Sequence, residues 1–536
     1  MRQYEMAELN LQAAAPVGSE VFVDLQGTFT CGEEIVTVKG FYAGNDTYKV
    51  RFLPTQSGTY TYSITGVVEA EGSLEVAPAA EGKHGIPKAV GTHMEYMDGS
   101  YYYAFGTTIY GLAHQTEELI QETMDSLATA PFNKVRMCVF PKNYMYNYNE
   151  PQYYAFSFAE GMSVADIPNN KQPFGVIAPK GLWDVHRPDY RFWDAFEDRM
   201  KQLNDMGIVV DLIVFHPYDR WGFSQMSWEE DQVYLEYLIR RFSAIPNLMW
   251  SMANEYDLFA FKRMDDWYQI EDYIVKNDPY HHMISNHNCF ATYDYSRENI
   301  THVSIQSRTV MRAPELLKEY GKPVLYDECC YEGNLEETFG SITGQEMSDR
   351  FWKVVTTGGH CTHGETYIDY DQEDIDNAVV HWAKGGKLVG SSPARIAYLR
   401  EFVESLPGPI EPYYPLGFAT LVLMSKDEVE QTLQNGPQWL HPMLLPVAAM
   451  TEKESIYHKI PEFSYCGCVG SDVYIYYYGM DVHGRVSIEL PQDRTYRIDI
   501  IDTWNMTRET VMTGVNGYVP VRMPQKQWMA VVAVAE

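Results

Sequence analysis

Two glutamates end apolar runs in this sequence, and such a pair could cleave a glycosidic bond. Glu255 closes the run N-L-M-W-S-M-A-N-E, and Glu328 closes G-K-P-V-L-Y-D-E. If each run is a strand of a (β/α)8 barrel, both carboxylates lie at the carboxyl ends of the strands, where the active sites of such barrels form. One carboxyl can then protonate the leaving oxygen while the other attacks the sugar carbon. We predict Glu255 as general acid/base and Glu328 as nucleophile.

The spacing of the two glutamates agrees with this arrangement. They are 73 residues apart (328 − 255), which is room for three βα units of roughly 24 residues each in a barrel of typical length. Glu255 would follow the fourth strand and Glu328 the seventh, so the two face each other across the barrel.

Two acidic neighbours compete with Glu328 for the role of nucleophile. Asp327 directly precedes it and Glu332 follows in C-C-Y-E-G. Because side chains alternate along a strand, we expect Asp327 to point away from the barrel axis and to be an orienting or structural residue. Glu332 is expected on the following loop, so Glu328 is preferred.

Eight apolar runs alternating with amphipathic helical patterns would position these residues. This alternation is typical of the βα units of a parallel sheet, and eight units fit a closed TIM barrel. The predicted strands are Tyr103–Thr107, Lys134–Phe140, Val209–Phe215, Leu248–Ala253, Met283–Asn286, His302–Gln306, Val324–Tyr326 and one near His360–Thr366.

Short alternating runs separated by turn residues flank this region on both sides. They predict an antiparallel β-sandwich at each end of the chain. We therefore predict three domains, an N-terminal β-sandwich over 1–83, the catalytic barrel over 84–407 and a C-terminal β-sandwich over 408–536. The aromatic-rich connection from Pro141 to about Trp193 is far longer than usual, and we interpret it as a wall of the substrate cleft, with an ordered structural insertion as the alternative.

With these motifs the sequence resembles a clan A glycoside hydrolase, the superfamily of cellulase-like and β-galactosidase-like barrels with catalytic glutamates on strands 4 and 7. Within the clan it is most similar to apiosidase-like hydrolases that carry an N-terminal sandwich. The resemblance covers roughly Met94 to Leu406 and rests mainly on the Asn254-Glu255 pair and on K-P-V-x-x-x-E.

The resemblance implies roles for three further residues. Asn254 would hold the sugar 2-hydroxyl. Arg136, in N-K-V-R-M-C-V-F, would contact the nucleophile, keep it ionised and depress its pKa, although a structural ion pair is the alternative. His216, at the end of V-D-L-I-V-F-H, would touch substrate or serve as a wall residue.

The sequence departs from the clan pattern at two strand ends. Many members have a tyrosine after strand 6 that hydrogen-bonds the nucleophile, whereas H-V-S-I-Q-S-R offers Gln306. Many have a tryptophan after strand 8, where H-C-T-H-G-E-T-Y supplies Glu365 and Tyr367 instead. We predict that these three residues contact substrate, and Glu365 is a third carboxylate that could replace one of the pair.

Composition excludes several classes of partner. Lys and Arg number 41 against 73 Asp and Glu, and the formal charge of −32 would repel polyphosphates and anionic membranes. We therefore expect a neutral carbohydrate substrate, with no nucleic acid or membrane partner. The N-terminus lacks a secretion signal and the eight cysteines fit reduced thiols, which predicts a cytoplasmic protein. Nothing in the sequence indicates the oligomeric state.

The sequence carries no sign of a metal or a cofactor. His360, Cys361 and His363 lack the paired spacing of zinc ligands, and no glycine-rich loop could hold a phosphate. We predict hydrolysis of a glycosidic bond with retention, without a cofactor. The alternatives are a non-catalytic carbohydrate-binding or scaffold protein and a transglycosylase.

Overall fold

The computed structural model describes residues 1–170, 175–415, 424–451 and 465–536. These residues form two compact units. The first comprises Met1–Arg308, Lys322–Met347 and His360–Ala394, and the second comprises Thr309–Gly321, Ser348–Gly359 and Arg395–Glu536. The predicted domain boundaries after residues 83 and 407 stay predictions.

The N-terminal part of the first unit is a β-sandwich, as predicted. Its strands are β1 (Ala7–Gln12), β2 (Leu25–Cys31), β3 (Glu34–Lys39), β4 (Phe41–Tyr42), β5 (Thr47–Phe52), β6 (Gly58–Gly66) and β7 (Ala70–Val76). They pair antiparallel in the sheets β1-β5-β4 and β3-β2-β6-β7. Residues that alternate along both sheets, such as Phe29 on β2 and Phe52 on β5, point inward and stack at 4.2 Å between ring centroids.

The rest of the first unit carries the barrel. The strands in this region are β8 (Pro87–Val90), β9 (His93–Tyr96), β10 (Phe105–Thr108), β11 (Lys134–Cys138), β12 (Phe156–Phe158), β13 (Trp183–Pro188), β14 (Val209–Phe215), β15 (Leu248–Ala253), β16 (Ile284–Ser285), β17 (Val303–Gln306), β18 (Val324–Glu328), β19 (Glu332–Gly333), β20 (His360–His363) and β21 (Glu365–Thr366). Eight of them pair in parallel in the order β16-β15-β14-β11-β10-β20-β18-β17. This confirms the predicted barrel, with β15 as its fourth strand and β18 as its seventh.

Helices follow most barrel strands, and two more lie beyond residue 408 in the part of the chain that the structure describes. They are α1 (Glu117–Leu127), α2 (Tyr190–Asp205), α3 (Trp228–Phe242), α4 (Met264–Asn277), α5 (Ala313–Tyr320), α6 (Gly344–Thr356), α7 (His381–Lys384), α8 (Ser392–Glu404), α9 (Lys426–Asn435) and α10 (His441–Ala449). Helix α2 shows the logic of these elements: Asp189 caps its start, and Trp193, Phe196 and Met200 recur on one buried face. Gly207, with φ of 72°, takes the left-handed turn that ends it.

The C-terminal strands form the second predicted sandwich. They are β22 (Glu411–Pro412), β23 (Tyr465–Val469), β24 (Val473–Tyr477), β25 (Arg485–Leu490), β26 (Tyr496–Asp502), β27 (Thr507–Val515), β28 (Gly517–Arg522) and β29 (Met529–Ala535). A six-stranded sheet and the pair β25-β28 share one apolar core. No helix in the described ranges has the length and apolar character needed to cross a membrane.

The long connection between β11 and α2 is ordered where it is described, and residues 171–174 lie outside the described residues. It contains the antiparallel pair β12-β13, and Trp183 of β13 stacks on Phe223 at 5.1 Å between ring centroids. Its first residues, including Lys142 and Tyr144, instead contact Tyr218, which bonds the predicted catalytic residue Glu255. The connection is thus both an ordered insertion and a contributor to the site.

Candidate active site

Glu255 and Glu328 face the same amide side chain at the carboxyl ends of the barrel strands. Glu255 lies two residues beyond the end of β15, and Glu328 is the last residue of β18. When the Gln306 amide is oriented with its nitrogen toward them, Nε2 donates to Glu255 Oε1 at 3.1 Å and to Glu328 Oε2 at 3.2 Å. Gln306, predicted to contact substrate, therefore lies between the two carboxyls, which are only 6% and 5% exposed.

Glu255 is held in a backbone conformation that glutamate seldom adopts. Its φ is 53°, in the left-handed region that costs a non-glycine residue on the order of 1 kcal/mol. The backbone N–H donates to His287 Nδ1 at 3.4 Å, and the side chain accepts from Asn254 Nδ2 at 3.1 Å and from the Tyr218 hydroxyl. This strained position directs the carboxyl toward Glu328.

Glu328 is held by partners from other strands. The Tyr110 hydroxyl, beyond the end of β10, donates to Glu328 Oε1 and lies 3.0 Å from Asn254 Oδ1. His287 Nε2 lies 3.9 Å from Glu328 Oε1. Burial raises the pKa of Glu328, the nearby charge of Glu255 raises it further, and Lys142 and Tyr110 oppose this change. Because the two carboxyls face each other, one proton belongs to the pair.

The expectation that Asp327 points away from the barrel axis is wrong. The register between β17 and β18 shifts so that Gln306 pairs with Glu328, while Ile305 pairs with Tyr326. Asp327 is the additional residue in this bulge, and a bulge re-aims the side chains next to it. Asp327 therefore faces the interior along with Glu328, and its carboxylate reaches Lys134 across the barrel.

The predicted contact between Arg136 and the nucleophile is replaced by a buried ion-pair network. Arg136 Nη1 lies 2.7 Å from Asp211 and 3.1 Å from Asp327, and Lys134 pairs with the same two aspartates. Arg136 Nη2 also reaches Asn254 Oδ1 at 3.3 Å. The network balances two cations against two anions. The pKa of Glu328 is raised rather than depressed, so the structural alternative describes Arg136 better.

The cation beside Glu255 and Glu328 is Lys142. Its Nζ lies 3.5 Å from the centre of the Tyr110 ring, 4.4 Å from that of Tyr218 and 5.1 Å from that of Trp382, which are cation–π distances. Within the described residues, its ammonium makes no hydrogen bond or ion pair with a protein atom. Tyr110 and Tyr218 are the residues that bond Glu328 and Glu255, so this positive charge lies next to both carboxyls.

The other predicted site residues are distributed around this centre. His216 Nε2 contacts the carbonyl oxygen of Phe140 at 3.1 Å, and burial lowers the pKa of His216 to about 3, so it is a neutral wall residue. Glu365 accepts hydrogen bonds from the 389–390 backbone, and Tyr367 donates to Glu332 at 3.2 Å. These three acidic and phenolic side chains therefore form a second cluster, apart from the catalytic pair.

A tryptophan does lie beside the site, but later in the chain than the residues next to strand 8. Trp382, on α7, packs against Tyr110 at 5.7 Å and against Tyr331 at 5.5 Å between ring centroids. The absence inferred from the residues next to strand 8 is thus corrected, because the connection to α7 loops back to the site. The hydroxyl that bonds Glu328 comes from Tyr110, beyond the end of strand 1.

Five residues of the site were missed in the sequence: Tyr110, Lys142, Tyr218, His287 and Trp382. His287 lies two residues beyond the end of β16. Tyr110 and Tyr218 lie two and three residues beyond the ends of β10 and β14, so attention to every strand end would have identified them. Lys142 and Trp382 lie in long connections and had no local signal.

Comparison with known proteins agrees with this geometry. A family described as "Apiosidase-like, catalytic domain" matches residues 89–408. The chain belongs to the apiosidase-like family. Domains of unknown function DUF5060 and DUF5605 match residues 1–66 and 463–533, which flank the apiosidase-like catalytic domain. Comparison with curated proteins gives no match.

Solved structures give the same assignment. A Bacteroides vulgatus ATCC 8482 protein provisionally described as a glycoside hydrolase is 31% identical, with a TM-score of 0.82 over 100% of this chain and 99% of that one. A glycoside hydrolase family 5 structure from the same organism has 14% identity and a TM-score of 0.57, covering 84% and 93% of the two chains, and shares the fold. This apiosidase-like protein is a glycoside hydrolase, and the non-catalytic alternative is not supported.

Proposed function

We propose that this apiosidase-like protein hydrolyses a neutral glycoside with retention, through a covalent intermediate on Glu328. The observation that carries this proposal is the Gln306 amide between the two carboxyls. Two oxygens at 3.1 and 3.2 Å from one nitrogen are at most about 6.3 Å apart, the sum of these distances. Retaining enzymes hold their carboxyls about 5–5.5 Å apart, whereas inverting enzymes need about 6.5–9.5 Å to admit a water molecule.

The contacts support separate roles for the two glutamates. Glu255 would protonate the leaving oxygen as Glu328 attacks the anomeric carbon and the glycosidic bond breaks. Esterification removes the negative charge of Glu328, which lowers the pKa of Glu255 and allows it to take a proton from water. That water then displaces the sugar from Glu328 and restores both carboxyls. Clan A enzymes place the acid/base on strand 4 and the nucleophile on strand 7, which fits β15 and β18.

Charge balance favours a neutral substrate. Lys134 and Arg136 are compensated by Asp211 and Asp327, which leaves Lys142 as counter-ion for a carboxyl pair that shares a proton. A sugar carboxylate would add an uncompensated negative charge to this buried centre. Asn254 remains a proposed substrate contact, and we add Trp382, which packs against Tyr110.

The test is sugar release from a panel of neutral and acidic aryl glycosides by the parent, Glu255→Gln and Glu328→Gln. We expect the parent alone to turn over a neutral glycoside, with the acidic counterparts at least 10-fold poorer. A Tyr101→Phe variant, altered at an exposed position, should turn over substrate like the parent and controls for activity lost during preparation. Retained turnover in either glutamine variant would mean that another carboxyl carries the chemistry.

A further inference from the structure

A second pair of carboxylates lies side by side in the first unit, away from Glu255 and Glu328. β19 pairs in parallel with β21, and the register places Glu332 opposite Glu365. Both side chains are buried, and neither forms an ion pair with a lysine or arginine of the described ranges. Like charges directly opposite on neighbouring strands destabilise a sheet, and buried charges require a partner. The pair therefore lacks a compensating positive charge.

The free acceptor positions of this pair converge. Glu332 Oε1 accepts from the Ser391 backbone at 2.7 Å, whereas Oε2 accepts, among the described residues, only from the Ser392 backbone at 3.0 Å. Glu365 Oε2 accepts from the Gly390 backbone at 3.0 Å. A Cβ on Gly390 would lie 2.6 Å from Glu365 Oε2 and 2.7 Å from Glu332 Oε2. Both oxygens thus approach one space that the absence of a side chain at residue 390 keeps open.

An imidazole nitrogen points toward the same oxygens. His363 is fully buried, and its Nε2 has no hydrogen-bond partner among the described residues but lies 4.0 Å from Glu365 Oε2. Its other nitrogen, Nδ1, lies 3.1 Å from the Thr107 hydroxyl, and the ring stacks on Phe132 at 4.8 Å. With Nδ1–H donating to Thr107, Nε2 presents a lone pair, the arrangement in which histidine binds a metal.

We propose that Glu332, His363 and Glu365 bind one divalent cation of the zinc class. Their ligand atoms lie within 4.8 Å of one another, and metal bonds of about 2.0–2.2 Å would draw them to about 3.5 Å apart, which small side-chain rotations can achieve. Mixed nitrogen and oxygen ligands suit zinc, whereas magnesium and calcium favour oxygen alone.

The site would join the ends of strands 7 and 8 to the segment that begins α8. Its cation would compensate the charges of Glu332 and Glu365 and fix the 389–392 backbone that donates to them. Spacing along the chain argued against a metal at His363, because Glu332 and Glu365 come together through the β19-β21 pairing. A proton shared by the two carboxyls is the competing explanation, since burial and then the charge of Glu332 raise the pKa of Glu365 to about 7.

The experiment uses the full-length protein, stripped with a chelator and titrated with Zn²⁺ by calorimetry at neutral pH. We expect one ion per chain with a dissociation constant of about 1 μM or tighter, and a rise of several degrees in the melting temperature. Glu365→Gln and His363→Gln should each weaken zinc binding at least 10-fold. Asp371→Asn, which alters an exposed carboxylate, should bind zinc like the parent. Circular dichroism checks that each variant is folded.

Three results would overturn the proposal: a parent that binds no zinc, variants that bind it as tightly as the parent, or magnesium that competes at equal concentration. If the glutamine variants fail to fold, the zinc stoichiometry of the parent and its competition with magnesium still test the proposal. These readouts need no substrate, so they are independent of the proposed hydrolysis.

Discussion

Replacing Lys142 by methionine removes the positive charge beside the catalytic pair while keeping the alkyl chain. The Lys142 ammonium lies 3.5 Å from the Tyr110 ring and 4.4 Å from the Tyr218 ring, and these tyrosines bond Glu328 and Glu255. Its charge favours the ionised carboxyls and lowers the pKa of Glu328. Without this charge, the pKa for each of the two proton losses from the carboxyl pair rises.

The size of the effect follows from Coulomb's law. At a separation of about 6 Å and an effective dielectric constant of about 20, one unit charge contributes about 2.8 kcal/mol, equivalent to about two pH units. Solvent at the mouth of the site screens part of this interaction. We therefore expect both limbs of the pH profile to move upward by about one to two pH units.

The assay is the pH dependence of kcat/KM for the aryl glycoside that the parent cleaves best. Its acidic limb reports loss of one proton from the doubly protonated pair, and its basic limb reports loss of the last proton. Lys142→Arg retains the charge and should keep the limbs near those of the parent. A Lys142→Met profile with unmoved limbs, whatever the change in rate, would refute the electrostatic role.

Two further predictions concern the supports of the site. Tyr110→Phe removes the donor to Glu328, so kcat should fall about 10- to 100-fold with little change in the urea midpoint; a parent-like kcat would contradict the contact. Asp327→Asn leaves Lys134 and Arg136 with too little negative charge, so the free energy of unfolding should fall by about 3–5 kcal/mol. Although burial opposes it, these cations hold the pKa of Asp327 well below its usual range. The parent should therefore lose this contribution as pH falls below about 3.9, and the variant should show no such loss.

Much of the fold, and the approach of Glu255 to Glu328 at the barrel mouth, could be predicted because the signals are local. An apolar run that ends in Asn254-Glu255 or in Glu328 predicts a strand, and it also identifies the polar residue at the carboxyl end of that strand. The same reasoning gave the eight barrel strands and the two flanking sandwiches. The spacing of apolar residues and the residue types at strand ends are properties of a few consecutive residues. They can therefore be recognised without knowledge of the tertiary structure.

The remaining features depend on contacts between distant segments. The bulge that turns Asp327 inward arises from the pairing of β17 with β18, and alternation alone predicts the opposite orientation. Arg136 is drawn to Asp211 and Asp327 because the barrel interior must balance its buried charges. Trp382 reaches Tyr110 only because a long connection folds back. These orientations and pairings are determined by packing and electrostatics across the barrel, and such contacts cannot be read from the order of residues along the chain.

Trapping the covalent intermediate tests the central claim most directly. A 2-deoxy-2-fluoro glycoside of the preferred sugar, with a good leaving group, should slow hydrolysis of the ester so that the sugar remains attached to the protein. Peptide mass spectrometry should then find one sugar on Glu328, with no label in Glu328→Gln. A label on Glu255, or release of a sugar of inverted configuration without any covalent adduct, would contradict the proposed double displacement.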